Sequence, residues 1–218
     1  MTTFPNSPRL LKAGLVLVNP ESQTPERVIA LQYNPDSLSR TLAPQAIPDS
    51  PDRSGVLRLK GPAVETIKLT AEIDATDQLE FPDLNPASVE SGIQRDLAAL
   101  ETLVHPASDQ IVTNNMLASL GTLEIAPMET PLTLFVWSKL RIVPVRVTEL
   151  SITEEAFDPA LNPIRAKVNL GFRVLSVNDL GFDHRGAHIF MSYLRAKEQL
   201  AGAFRSAALS ALGMGRLP

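Results

Sequence analysis

Cysteine is absent from all 218 residues. That excludes a disulfide scaffold, cysteine-ligated zinc, iron–sulfur clusters and thiol catalysis. Long apolar runs are absent too: no stretch reaches the roughly 18 residues that a membrane-spanning helix needs. The start of the chain, Met1 to Arg9, is polar and has no signal-peptide core. Both points imply a protein that is soluble when made, with no direct membrane insertion. Positive charge is scarce: 20 Lys and Arg stand against 24 Asp and Glu, for a net charge of −4. Nucleic-acid binding needs a positive field, so that class is disfavoured. Charged residues make up only 20% of the chain, which leaves more surface for protein contacts. Proline, by contrast, is plentiful at 18 residues. It clusters between Pro44 and Pro62, between Pro82 and Pro86, and from Pro127 to Pro131, marking loops rather than one linker. No repeat or low-complexity tract appears.

What is present reads mainly as strands. Ala13–Val18 and Val28–Tyr33 are short apolar runs ended by Asn19-Pro20 and Asn34-Pro35. From Ile67 to Asp74, apolar Ile67, Leu69, Ala71 and Ile73 alternate with Lys68, Thr70, Glu72 and Asp74, the pattern of a half-buried antiparallel strand. Leu132–Trp137 is apolar on both faces. Further on, Val145 and Val147 share one parity and Leu150 and Ile152 the other, so a β-bulge is expected near Thr148–Glu149. Ala166, Val168, Leu170, Phe172 and Val174 then alternate with polar neighbours, and Asp158–Pro163 supplies the hairpin loop between the two runs.

Two segments read as helices. Val89, Ile93, Leu97, Leu100 and Val104 recur at helical spacing, with Asn85 as N-cap and Pro86 as first helical residue. A second helix is expected from about Gly186 to Leu212, with a stripe through Phe190, Leu194, Lys197, Ala201 and Phe204, widened by Ile189, Tyr193 and Leu200. The charge divides at the same place. From Asp183 onward five basic residues face two acids, net +3, whereas the preceding 182 residues carry 15 basic and 22 acidic groups, net −7. A basic amphipathic extension, 183–218, thus follows an acidic β domain, 1–182.

Catalytic signals are poor. Of three histidines, His105 reads as a cation at a helix C-terminus. His184 and His188 are four apart beside Asp183, a spacing that can place two imidazoles on one helix face for zinc, but no third ligand follows. No nucleophile elbow, phosphate loop or dinucleotide fingerprint occurs. Asp49, Asp52 and Ser54 lack calcium-loop spacing. Glu154 and Glu155, as strand neighbours, point to opposite faces. Arg195, Lys197 and Arg205 suit a protein partner better than phosphate or anionic lipid. The expectation is a chain with no enzyme activity, no catalytic residues, no metal and no cofactor.

Four phrases together resemble one known family. ERVIALQYNPDSLSRTL (Glu26–Leu42) resembles the opening strand and Asn-Pro turn of the contractile injection system tube family of phage-tail-like particles. ETIKLTAEID (Glu65–Asp74) is similar to its following strand. PLTLFVWS (Pro131–Ser138) resembles its Phe-x-Trp-Gly strand end, with Ser138 in place of glycine. VTELSITEEAFDPALNPIRAKVNLGFRVL (Val147–Leu175) is similar to its closing hairpin, including Phe157, Pro163, Arg165 and Ala166. The resemblance spans roughly Leu10 to Leu180. It implies a mainly β (α+β) fold: a phage-tail-tube-like antiparallel β-barrel or sandwich with one flanking helix, followed here by the C-terminal amphipathic helix. It also implies six-fold rings at the baseplate end, connecting inner tube to spike, assembled in the bacterial cytoplasm. The alternatives are a stackable inner-tube protein lining the payload channel and, in a different class, a peripheral membrane-anchoring protein. Many members carry a LysM module after the hairpin. This chain has the basic helix instead, which puts glycan binding in doubt.

The expected partners are copies of the same chain in a hexameric ring and the tube, spike and baseplate proteins. The expected assembly contacts are Phe190, Tyr193, Leu194, Leu200 and Phe204, because large apolar side chains supply most interface affinity. Docking of the helix into a neighbouring subunit is favoured over packing on its own body.

Overall fold

The computed structural model describes residues 11–19, 22–46, 58–119, 121, 130–204, 211, 214 and 216. Seven strands make one sheet: β1 (Gly14–Val18), β2 (Pro25–Ala30), β3 (Leu38–Ala43), β4 (Val64–Asp74), β5 (Leu132–Ser138), β6 (Arg141–Phe157) and β7 (Pro163–Val174). The order across the sheet is β2-β1-β5-β6-β7-β4-β3, and each neighbouring pair is antiparallel. The helices are α1 (Thr76–Leu79), α2 (Pro86–Ser91), α3 (Gln94–Glu101), α4 (Ser108–Ser119) and α5 (Arg185–Gly202), with a 3-10 turn at Pro82–Leu84.

The alternating patterns settle the strands. In β4, Ile67, Leu69, Ala71 and Ile73 are buried and Lys68, Thr70 and Glu72 are exposed, because successive side chains leave a strand on opposite faces. In β7, Ala166, Val168, Leu170, Phe172 and Val174 all point into the core. The phase slip in β6 is a bulge: Val147 pairs with Phe172, and the next paired residue is Glu149, opposite Gly171. A Cβ at Gly171 would stand 2.9 Å from the Glu149 Cβ, so the close approach at the bulge requires glycine. The Phe157–Pro163 end is the expected hairpin. The Asp158 carboxylate accepts hydrogen bonds from the Ala160 and Asn162 amides at 2.7 and 2.8 Å and closes the loop.

The core lies on one face of the sheet. Phe135 stacks on Phe172 with ring centroids 5.2 Å apart. Ile93, Leu97 and Leu100 from the first helical segment, and Phe190 and Tyr193 from α5, join the same buried cluster. The other face of β4, β7 and β6 is polar and exposed and carries ion pairs: Lys68 with Glu149 and Lys167 with Glu155, each at 2.9 Å, and Arg165 with Asp74 at 2.8 Å.

The mainly β, α+β expectation holds, but the sheet does not close into a barrel. Among the described residues its edge strands, β2 and β3, have no further strand partner, and helices cover the apolar face. The single flanking helix is also corrected. Helix α2 stops at Ser91, where Gly92 takes φ +55°, and α3 restarts at Gln94. The break lets the Ile93 amide donate to the Pro163 carbonyl at 2.9 Å. A Cβ at position 92 would fall 2.0 Å from that same oxygen, so the chain sacrifices helix continuity to dock on the hairpin. Asn85 does precede Pro86 at the start of α2, but its side-chain amide donates to the Gln78 and Phe81 carbonyls instead of capping. The second strand starts earlier than expected, at Pro25, and ends at Ala30. Asn34 then turns back to β1, accepting from the Ala13 amide at 2.9 Å and donating to the Leu11 carbonyl at 2.8 Å. Helix α5 ends at Gly202, with Ala203 as its C-cap and Phe204 in a bend, so it stops short of the expected end near Leu212. The loop positions Asp49, Asp52 and Ser54, and Arg205, lie outside the described residues.

Candidate functional site

The residues with catalytic potential are kept apart. His184 is the N-cap of α5, and its Nδ1 accepts a hydrogen bond from the Gly186 amide at 3.0 Å. It borders an apolar groove of about 740 Å³ with Leu103, Leu132, Val145 and Val147. His188 lines a different groove, with Leu140 and Ile142. The two imidazoles therefore do not share a site. His105 is exposed beyond the end of α3. Glu155 pairs with Lys167, and the register slips between Glu154 and Ala156. Among the described residues, no cluster of three or more His, Cys, Asp or Glu can hold a metal ion.

A concentrated polar site joins the C-terminal helix to the sheet. Glu65 lies on β4 with the same parity as Ile67, Leu69, Ala71 and Ile73, so its carboxylate points to the core side and is only 3% exposed. A charge held there needs partners. Arg40 of β3 donates from Nε at 2.7 Å, Lys197 from Nζ at 3.0 Å, and the Tyr193 hydroxyl at 3.1 Å. Arg40 also donates to the Tyr193 hydroxyl at 2.9 Å. The Lys197 ammonium stands 4.0 Å above the Tyr193 ring centroid, a cation–π contact. Burial pushes the Glu65 carboxyl up, but hydrogen bonds and charge from Lys197 and Arg40 outweigh it and hold the group below its ordinary value. Three elements, β3, β4 and α5, are thus clamped through one carboxylate.

Sequence patterning did not single out Glu65. The signal was available: reading the β4 alternation back from Ile67 by two residues places a glutamate on the apolar parity, the mark of a buried charge awaiting partners.

The expected assembly contacts divide into two groups. Phe190 and Tyr193 are buried in this chain's own core, and Leu194 packs partly against it. The first half of α5 is therefore not free to dock elsewhere, which corrects the preference for docking there: the Glu65 clamp gives the helix a seat on its own body. Leu200 and Phe204 are 57% and 77% exposed.

Further apolar side chains are exposed at Phe81, Leu84, Ile111, Val112 and Met116. Helix α4 buries none of its residues. No described helix is long and apolar enough to cross a membrane.

No protein-family model matches this sequence. No curated protein matches it significantly either. Comparison with solved structures returns chains of gene transfer agent particles. One is from the tail of an empty particle with C6 symmetry, at 13% identity and a TM-score of 0.29, covering 75% of this chain and 90% of that chain. Another is from the virion of a native gene transfer agent particle, at 12% identity and a TM-score of 0.27, covering 74% of this chain and 90% of that one. Scores this low carry no argument about this chain.

Proposed function

We propose that this protein is a non-catalytic structural subunit of a phage-tail-like contractile injection system, forming a ring at the junction of inner tube and baseplate and linking tube to spike. The observation that carries the reading is the open seven-stranded sheet, whose two edge strands have no partner among the described residues. Unpaired edges are templates for another chain. They are also equal in length, six residues each in β2 and β3. The order and spacing of the family-like phrases support the same reading.

The topology sets how a ring would close. Seven alternating strands leave the first and last running in the same direction. Rotation about an axis along the strands then brings β3 of one copy beside β2 of the next as a parallel pair. Such a contact is heterologous, and it closes when the rotation divides the circle. The layer at larger radius has more room, so the helix-bearing face turns outward. The polar face with Lys68, Thr70, Glu72, Lys167 and Asn169 then lines the channel. Its exposed polar and charged side chains suit a wetted wall rather than a packed interface.

The test is electron microscopy of particles purified from cells making an epitope-tagged chain. A junction ring predicts antibody label at one end of each particle. Label along the whole length would transfer the role to the stacking tube protein, and unlabelled particles would remove the chain from the assembly.

A further inference from the structure

The groove between α5 and the turn joining β5 to β6 is apolar at its floor and basic at its rim. It holds about 550 Å³. Leu134 and Tyr193 line it and are buried. Leu140 and Ile142 line it too and stay 60% and 37% exposed. Its helix wall is a second stripe of α5. Arg185, Ile189, Ser192 and Ala196 recur at spacings of four and three, beside the Phe190 and Tyr193 stripe that enters the core.

Lys139 and Arg185 bring the charge to the groove, and Arg141 follows in the same turn. None of the three forms an ion pair among the described residues. Arg185 donates to the Gln23 carbonyl, which leaves its charge unneutralised. A solitary exposed lysine is ordinary on a protein surface. Here, however, the surroundings hold no carboxylate at all. Every lining residue comes from Thr130–Thr148 or Arg185–Ala196. Neither segment contains an Asp or Glu, in a chain that has 24 of them. The groove is an apolar seat with cations that the chain itself does not answer.

We infer that this groove takes an acidic segment of another protein, with an apolar side chain seated against Leu134, Ile142 and Ile189 and carboxylates meeting Lys139 and Arg185. Complementary charge supplies approach and register, and the seated side chain supplies the hold. The concave shape favours a peptide over a membrane. A flat anionic bilayer would meet Leu140 and the rim but not the buried floor. In the ring reading, copies of this chain meet at the strand edges, whereas the β5–β6 turn stands at the end of its strands and so on one face of the ring. The partner is then the next component along the axis. That placement rests on the ring reading; the chemistry of the groove does not.

Fluorescence anisotropy tests it, with the full chain at up to about 1 mM, the weak end of specific association. The probe is a short labelled peptide of alternating Glu-Glu and Leu-Leu pairs. It should bind, and binding should weaken as salt rises from about 0.1 to about 1 M, which shortens the Debye length from about 10 to about 3 Å. Peptides with Lys for Glu, or with Ser for Leu, should bind about tenfold more weakly or not at all. Lys139→Glu and Ser192→Glu each put a carboxylate at an exposed position of the groove. Each should weaken binding by about tenfold or more, with the melting temperature at the wild-type value. Arg95→Glu is the control. It lies on α3, which docks by the Ile93 amide on Pro163, at the opposite end of β6, and it should leave binding unchanged. Absent binding of the Glu-Leu peptide, equal binding of the Lys-Leu peptide, unchanged binding in either groove variant, or the same loss in Arg95→Glu would overturn the inference. So would binding to phosphatidylserine vesicles in place of the peptide, or self-association of the chain that Lys139→Glu abolishes, which would seat a copy in the groove. A negative result with antibody label still at one particle end would leave the ring reading standing. Peptide binding by a chain absent from particles would keep the groove and remove the ring.

Discussion

A glutamate turned toward an apolar core survives there only if its charge is answered, and Glu65 is answered three times. Arg40, Lys197 and Tyr193 all reach its carboxylate. Arg40 and Lys197 keep 24% and 34% of their side chains exposed, so water can take over part of their solvation if the carboxylate is lost. Replacing Glu65 with alanine should then cost about 1–3 kcal/mol, the range for removing a buried hydrogen-bonded group, measured by urea denaturation. The pH dependence has a fixed sign. A carboxyl whose pKa is lower in the folded state stabilises the protein fully above its unfolded value, about 4.3 for glutamate. That stability is lost as pH falls through the folded value. The melting temperature of the wild type should therefore drop below about pH 4.3, and Glu65→Gln should flatten that part of the profile. Phe172 sets the scale for an ordinary core residue. It is 1% exposed and stacked on Phe135, so Phe172→Ala should cost about 3–5 kcal/mol. An unchanged melting temperature would contradict the strand register.

Elements show which parts of the fold were legible and which were not. Periodicity located β4, β7, the bulge near Thr148 and the 158–163 hairpin, because in each the burial pattern follows from strand geometry alone. It ran a helix through Gly92 because the apolar spacing continues across that residue. The break there is caused by a partner distant in sequence, the Pro163 carbonyl. Barrel closure failed for a related reason: whether edges meet depends on strand order, which local pattern does not encode. Glu65 was hidden because its meaning lies in Arg40 and in Tyr193 and Lys197 of α5, 25 to 132 residues away. Two element-scale outcomes follow. Gly92→Ala must force a side chain into a positive-φ conformation against a backbone oxygen, costing about 1–3 kcal/mol in a thermal melt. Truncation before Asp183 removes Phe190 and Tyr193 from the core and strips Glu65 of two partners, so the remaining domain should aggregate on light scattering. Truncation after Gly202 leaves the clamp intact and should yield a folded chain.

At the scale of the whole molecule, the described residues make one layered sheet with a helix-covered apolar side, a polar side carrying several ion pairs, and two edge strands with no further strand partner among them. Its exposed features include the two edge strands, the Phe81–Leu84 turn, and Leu200 and Phe204 at and just beyond the end of α5. The polar face suits water, and in the proposed ring the edge strands meet copies of the same chain. An assembly built this way has a stoichiometry dictated by ring closure, in contrast to an accessory factor that visits the particle in ones or twos. Cryo-electron microscopy of particles isolated with this chain tests that directly. The account predicts six copies in one ring, joined by β3 of each copy alongside β2 of the next. One or two copies per particle, or a ring whose sheet edges face solvent, would contradict it.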